Sequence, residues 1–92
     1  MRLVWDRRAV RELEDIWAYI ARDNIQAAEE MAELIQSRVL GLKEFPELGR
    51  RGRIDNTREL VVTPYIVVYQ IHEDRIGIRA VLHGRRRWPK RL

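Results

Sequence analysis

The densest chemical signal in the sequence is a run near its C-terminal end, His83-Gly84-Arg85-Arg86-Arg87-Trp88-Pro89. It joins an imidazole, three guanidiniums and an indole. Together with Arg58 and Arg79, these arginines can stabilise a phosphoryl transition state, with His83 as acid or base. RNA cleavage by attack of the 2′-hydroxyl needs only such groups and no metal. Trp88 or Tyr65 can stack on a base. Structural roles compete for the same residues. Arg58 and Glu59 can keep a strand soluble, and Arg79 can pair with an acidic group. Trp88 can pack the tail on the domain, and Tyr65 and Tyr69 share a strand face with Val67 and Ile71.

Other chemistries find no support. His72 and His83 are the only histidines and fall on different elements, so no metal site is expected. Gly49-Arg50-Arg51-Gly52 precedes a strand and lacks the context of a phosphate loop. Ser37 is the only serine and lies mid-helix, which removes a Ser-His-Asp set. There is no cysteine, hence no disulfide and no thiolate, and a reducing cytoplasm suits such a chain. No cofactor is expected. Met1-Arg2-Leu3-Val4-Trp5-Asp6 is not a signal peptide. No apolar run approaches the ~20 residues of a membrane span. A cytoplasmic protein without membrane contact is therefore expected.

Charge is divided unevenly. Residues 1–49 carry seven Lys/Arg against ten Asp/Glu, whereas residues 50–92 carry eleven against four. The C-terminal half should therefore attract an anionic partner, either nucleic acid or an acidic protein. Sixteen of the eighteen cations are Arg, which favours bidentate contacts to phosphate or carboxylate.

The elements that must position these groups follow from apolar spacing. The 92 residues make one domain, 1–92. Residues 2–5 form a short edge strand, and Asp6 is placed to cap a helix with its carboxylate. Ala9, Leu13, Ile16, Trp17 and Ile20 recur at helical spacing. Asn24 caps a second helix from about Ile25 to Glu44, with Ala28, Met31, Ala32, Ile35, Val39 and Leu42 as its stripe; Phe45-Pro46 ends it. Residues 46–56 read as a loop whose Arg50, Arg51 and Arg53 stand on flexible backbone. The period then changes to two. Thr57–Val62, Tyr65–Ile71 and Arg75–His83 make an antiparallel meander.

The fold class is thus α+β in the order β-α-α-β-β-β, with a helical hairpin on one face of the sheet. On the third meander strand, Ile76, Ile78, Ala80 and Leu82 should point one way and Arg75, Gly77, Arg79, Val81 and His83 the other. The face away from the helices is then open and cationic.

Four segments carry a family resemblance. They are Gly49-Arg50-Arg51-Gly52-Arg53; Thr57-Arg58-Glu59-Leu60-Val61-Val62; Thr63-Pro64-Tyr65-Ile66-Val67-Val68-Tyr69; and Val81-Leu82-His83-Gly84-Arg85-Arg86. In this order, behind a helical hairpin, the chain resembles the RelE/ParE superfamily of type II toxin–antitoxin toxins over nearly its whole length. The resemblance implies a bacterial toxin held inactive by a cognate antitoxin in a hetero-oligomer. RelE-like members cleave ribosome-bound mRNA without a metal; ParE-like members poison DNA gyrase.

The resemblance also separates the branches. RelE-like ribonucleases carry cations at the positions of Thr57 and Glu59, and an arginine at the position of Ile66. They use a C-terminal tyrosine or histidine, yet no tyrosine follows Tyr69 here. Only Arg86 matches a family catalytic arginine. The resemblance therefore favours a non-enzymatic, ParE-like gyrase inhibitor. Its contact candidates for target or antitoxin are Arg58, Arg75, Arg79, His83, Arg85, Arg86, Arg87 and Trp88. The alternative is a ribosome-dependent mRNA endonuclease using Arg79, His83 and Arg86, with Glu59 as base. A third reading is a plain nucleic-acid-binding module.

Overall fold

The apolar spacings resolve into two helices and five strands in the computed structural model, which describes residues 1–92. In chain order they are β1 (Arg2–Trp5), α1 (Arg7–Ala21), α2 (Ile25–Leu40), β2 (Arg50–Arg51), β3 (Arg58–Val62), β4 (Tyr65–Ile71) and β5 (Arg75–His83), with a 3₁₀ turn at Gly41–Lys43 after α2. The strands form one sheet in the order β1-β5-β4-β3-β2. β3, β4 and β5 are the expected antiparallel meander. Two features go beyond it. β1 pairs parallel to β5, so the sheet is mixed, and the basic loop contributes the two-residue edge strand β2. No helix is long and apolar enough to cross a membrane.

The helix ends show local chemistry at work. Asn24 caps α2, its side-chain oxygen accepting from the Ala27 amide at 3.0 Å. Asp6 caps α1 only through its carbonyl, which accepts from Val10 at 3.1 Å; its carboxylate makes no capping bond. That carboxylate is instead bound to Arg79. α2 stops at Leu40, before the expected Glu44, where Gly41, a weak helix former, begins a 3₁₀ turn with its backbone still in the right-handed helical region.

The core lies between the helical hairpin and one face of the sheet. Ala9, Ile35, Val39 and Leu42 meet Leu60, Val62, Tyr65, Val67, Tyr69, Ile76, Ile78 and Val81 there. Each fully buried Leu, Ile or Val contributes about 1.5–3 kcal/mol by leaving water. Leu13, Ile16, Ile20 and Met31 pack at its margin, whereas Trp17 sits at the edge of its stripe and is exposed.

The alternation of β5 does not run through its length. Val68 pairs with Ala80 and its neighbour Tyr69 with Ile78, so Arg79 is the extra residue of a β-bulge. The bulge inverts the facing of everything after it. Ile76 and Ile78 face the helices before it, and Val81 and His83 do so after it. Ala80 and Leu82 pair with Val68 and Ile66 on the opposite face. The expected row of Arg75, Arg79 and His83 on one open face is therefore not formed, because His83 belongs to the helix side.

Candidate functional site

The face of the sheet away from the helices is closed by charge rather than left open. Glu59, in β3, points to that face and is only 3% exposed. β2 lies beside it, with Arg50 directly opposite Glu59. Arg50 donates Nη2–H to Glu59 Oε1 at 3.0 Å and Nε–H to the same oxygen at 3.2 Å. Arg53 donates its backbone amide to Oε2 at 2.9 Å, Nε–H to Oε2 at 3.1 Å and Nη2–H to Oε1 at 3.3 Å. Burial alone would raise the Glu59 carboxyl. The hydrogen bonds from Arg53 and Arg50, with the charge of Arg53, outweigh it and hold the group below its ordinary value.

Trp88 completes this cover. The Arg53 guanidinium carbon stands 3.6 Å from the centre of the Trp88 ring. The indole Nε1–H donates to the His83 carbonyl at 3.1 Å. The tail is thereby folded back, and Gly84 donates to the Pro64 carbonyl at 2.9 Å. Ile66, Val68 and Ala80 are buried on this face although no helix covers it. Arg50 and Arg53 are fixed on Glu59, contrary to the expectation of a flexible arginine loop.

A second polar fixture anchors the loop before β2. The Tyr69 hydroxyl accepts from the Gly49 amide at 2.8 Å and donates to the Pro46 carbonyl at 2.7 Å. Burial pushes the pKa of this phenol up, so the hydroxyl keeps its proton and stays a donor. A Cβ at Gly49 would stand 2.7 Å from that hydroxyl and from the Glu59 carbonyl, so only glycine fits. Arg58 donates to the Gly49 carbonyl at 2.7 Å, so this contact candidate clamps the loop.

The bulge residue Arg79 is likewise engaged. Its Nε–H donates to Asp6 Oδ2 at 2.6 Å, and its Nη1 bonds Gln70. It ties the start of α1 to the middle of the sheet. Arg75 pairs with the exposed Asp74 at 2.9 Å, and that bond holds Asp74 below the ordinary carboxylate value.

The remaining candidates line a groove of about 760 Å³ between α1 and the end of β5. β1 ends opposite Ile78, so the outer edge of β5 beyond the bulge has no strand beside it. Glu12 serves that edge instead, accepting from the Val81 amide at 2.9 Å and from Arg8 Nε at 3.2 Å. Tyr65 and His83 meet edge to face in the groove, ring centres 5.6 Å apart. Burial raises the Tyr65 phenol, the Arg86 charge opposes this, and Tyr19 adds to it. His83 Nδ1 accepts from the Arg85 amide at 3.0 Å, so a neutral ring carries its proton on Nε2 and acts as a donor. Arg86, Arg87 and Trp88 form the tail wall of the groove.

The candidates thus divide. Tyr65, His83, Arg86, Arg87 and Trp88 share one groove; Glu59 and Arg58 are held in the loop and sheet, and Arg79 at the bulge. Residues not expected at a site also shape these ones: Arg50 and Arg53, read as part of a flexible loop, surround Glu59, and Arg8, Glu12 and Tyr19 form the α1 wall. A carboxylate in a strand that follows an arginine loop was the one available hint of the first group. No group of three or more His, Asp or Glu side chains is suited to a metal.

Comparison with known proteins places this arrangement. The family model described as "ParE toxin of type II toxin-antitoxin system, parDE" matches residues 3–88. The chain is 43% identical over 93 aligned residues to the Sinorhizobium fredii protein named "Putative toxin Y4kP", covering 99% of this chain and 96% of that protein. It is 31% identical over 84 residues to "Toxin RelE2" of Caulobacter vibrioides, covering 91% and 96%. Among solved structures, the chromosomal ParDE toxin–antitoxin system of P. aeruginosa superposes with a TM-score of 0.81 at 22% identity, over 90% of this chain and 95% of that one. The YoeB/ParE toxin from Agrobacterium tumefaciens superposes with a TM-score of 0.62 at 17% identity, over 90% and 98%. At these identities the structural likeness establishes the α+β fold.

Proposed function

This chain belongs to the ParE family of type II toxin–antitoxin toxins, and from that premise we propose that it arrests growth by inhibiting DNA gyrase through contacts rather than catalysis. One observation carries the reading. The groups an RNA cleavage centre would draw on the sheet are consumed by the fold: Glu59 by Arg50 and Arg53, and Arg79 by Asp6 and Gln70. Arg85, Arg86 and Arg87 are exposed cations held on a folded tail. Such groups recognise a macromolecular surface by charge without needing a base beside them.

Neutralisation is assigned to a cognate antitoxin in a hetero-oligomer. The exposed apolar side chains of the helices, among them Val10, Trp17, Leu34 and Leu40, are the surface such a segment would bury. The test is gyrase supercoiling with the free toxin. Supercoiling should fall as toxin is added and recover when antitoxin is supplied. Unaffected gyrase at micromolar toxin defeats the reading.

The grouping of Tyr65, His83 and Arg86 favours a second reading, a ribosome-dependent mRNA endonuclease working from the groove. It requires position-specific cuts in translated mRNA that disappear with Arg86→Ala. Intact transcripts during growth arrest eliminate it.

A further inference from the structure

We propose that Glu59 is a positioning residue for the C-terminal tail, acting through Arg53 on Trp88. Glu59 carries only a short side chain inside the sheet and makes no hydrogen bond to the tail. Its reach comes from the guanidinium it holds. Arg53 is fixed to the carboxylate by its own backbone amide and by two guanidinium nitrogens, so both the base and the head of the side chain are set. A guanidinium bonded along its edge still offers its face. That face meets the Trp88 ring at 3.6 Å.

Trp88 is thus pinned twice, by its face to Arg53 and by its Nε1–H to the end of β5 at His83. The Arg86 amide also donates to the His83 carbonyl, at 3.2 Å. Residues 83–88 therefore form a closed loop from which Arg85, Arg86 and Arg87 project. The buried carboxylate decides where those three charges stand. Arg50 supplies an internal contrast, because it bonds the same carboxylate and does not stack on Trp88.

The positioning stands on contacts within the chain, and only its consequence for toxicity rests on the gyrase reading. The experiment follows the three indole N–H signals of ¹⁵N-labelled free toxin, from Trp5, Trp17 and Trp88. In Arg53→Ala and in Glu59→Gln, solvent exchange of the Trp88 Nε1–H should rise by about tenfold, the scale set by a cation–π contact. Trp5 and Trp17 should be unchanged. In Arg50→Ala the Trp88 exchange should stay within about twofold of wild type. Should Glu59→Gln disturb Trp5 and Trp17 as well, Glu59→Asp replaces it. That variant keeps the charge and withdraws it by one methylene, and it should speed Trp88 exchange in a native background. Wild-type exchange in Arg53→Ala overturns the proposal, as does acceleration in Arg53→Ala that neither Glu59 variant reproduces. Equal acceleration in Arg50→Ala and Arg53→Ala also overturns it, since the route through Arg53 would then be wrong. No gyrase enters the measurement, so its failure and that of the gyrase reading remain distinct.

Discussion

The two faces of the sheet are built from the same alternating strands and closed by different physics. On the helix side, Val67, Tyr69, Ile76 and Ile78 are fully buried beneath apolar residues of α1 and α2. On the other side, Val68 and Ala80 are equally buried, but their row continues into Glu59, and the nearby cover is the Arg50–Glu59–Arg53 cluster and Trp88. An apolar lid draws its stability from area removed from water. A charged lid gains less, because desolvation offsets most of the attraction, but its bonds are directional. The difference predicts that the first face sets the stability of the domain and the second sets its geometry.

The largest effect should therefore come from the apolar side. Leu42, fully buried in the turn after α2, has no room to be replaced by solvent. Leu42→Ala should cost about 2–5 kcal/mol in denaturant unfolding, through lost burial and the cavity left behind. A loss below about 1 kcal/mol would break the comparison, since the helix-side core would then not dominate.

Glu59→Gln should follow with a smaller loss. Removing one member of a fully buried pair costs about 3–5 kcal/mol. Here the Arg50 and Arg53 side chains are 57% and 45% exposed and can return to water. The discounted expectation is about 1–2 kcal/mol at neutral pH. The dependence on pH supplies a sharper check. The carboxyl lies below its ordinary value of 4.5 in the folded chain. Its stabilisation is complete above that value and is lost as pH falls through the lower folded value. The stability gap between wild type and Glu59→Gln should accordingly close in acid. A gap that stays constant with pH would show that the lost shape, rather than the charge, caused the effect.

How much of this was legible in the sequence follows the same division. The core stripe of α2 is periodic and β4 is a continuous apolar run, so Ile35, Val39, Val67 and Tyr69 identified themselves. The second face is closed by residues from a loop and a tail, which have no period. Arg53 finds Glu59 across a turn, and Trp88 finds Arg53 across the sheet; neither distance is written in local spacing. The bulge at Arg79 defeated alternation from within a strand, because one inserted residue inverts every position after it. That single irregularity moved His83 from the expected cationic row into the groove beside Tyr65. Parallel pairing of β1 with β5 was equally silent, since it joins the two ends of the chain. The family resemblance rested on segment order and was insensitive to these details.

The smallest effect on stability should fall on the residues with the largest effect on function. Arg85, Arg86 and Arg87 are exposed and take part in no ion pair within the chain. The two backbone bonds in this stretch, from Arg85 to His83 Nδ1 and from Arg86 to the His83 carbonyl, survive truncation of the side chains. The triple replacement by alanine should therefore change stability by less than about 0.5 kcal/mol, and the melting temperature by less than about 4 °C. Gyrase inhibition, in contrast, should be lost, because three cations are removed from the proposed contact surface while the loop that displays them is kept. The contrast with Leu42→Ala is the decisive one: there, toxin activity should track the folded fraction, and here it should fall in a fully folded chain. A triple variant that still inhibits gyrase would relocate the contact surface away from the tail, and one that unfolds would show that the second face carries stability after all.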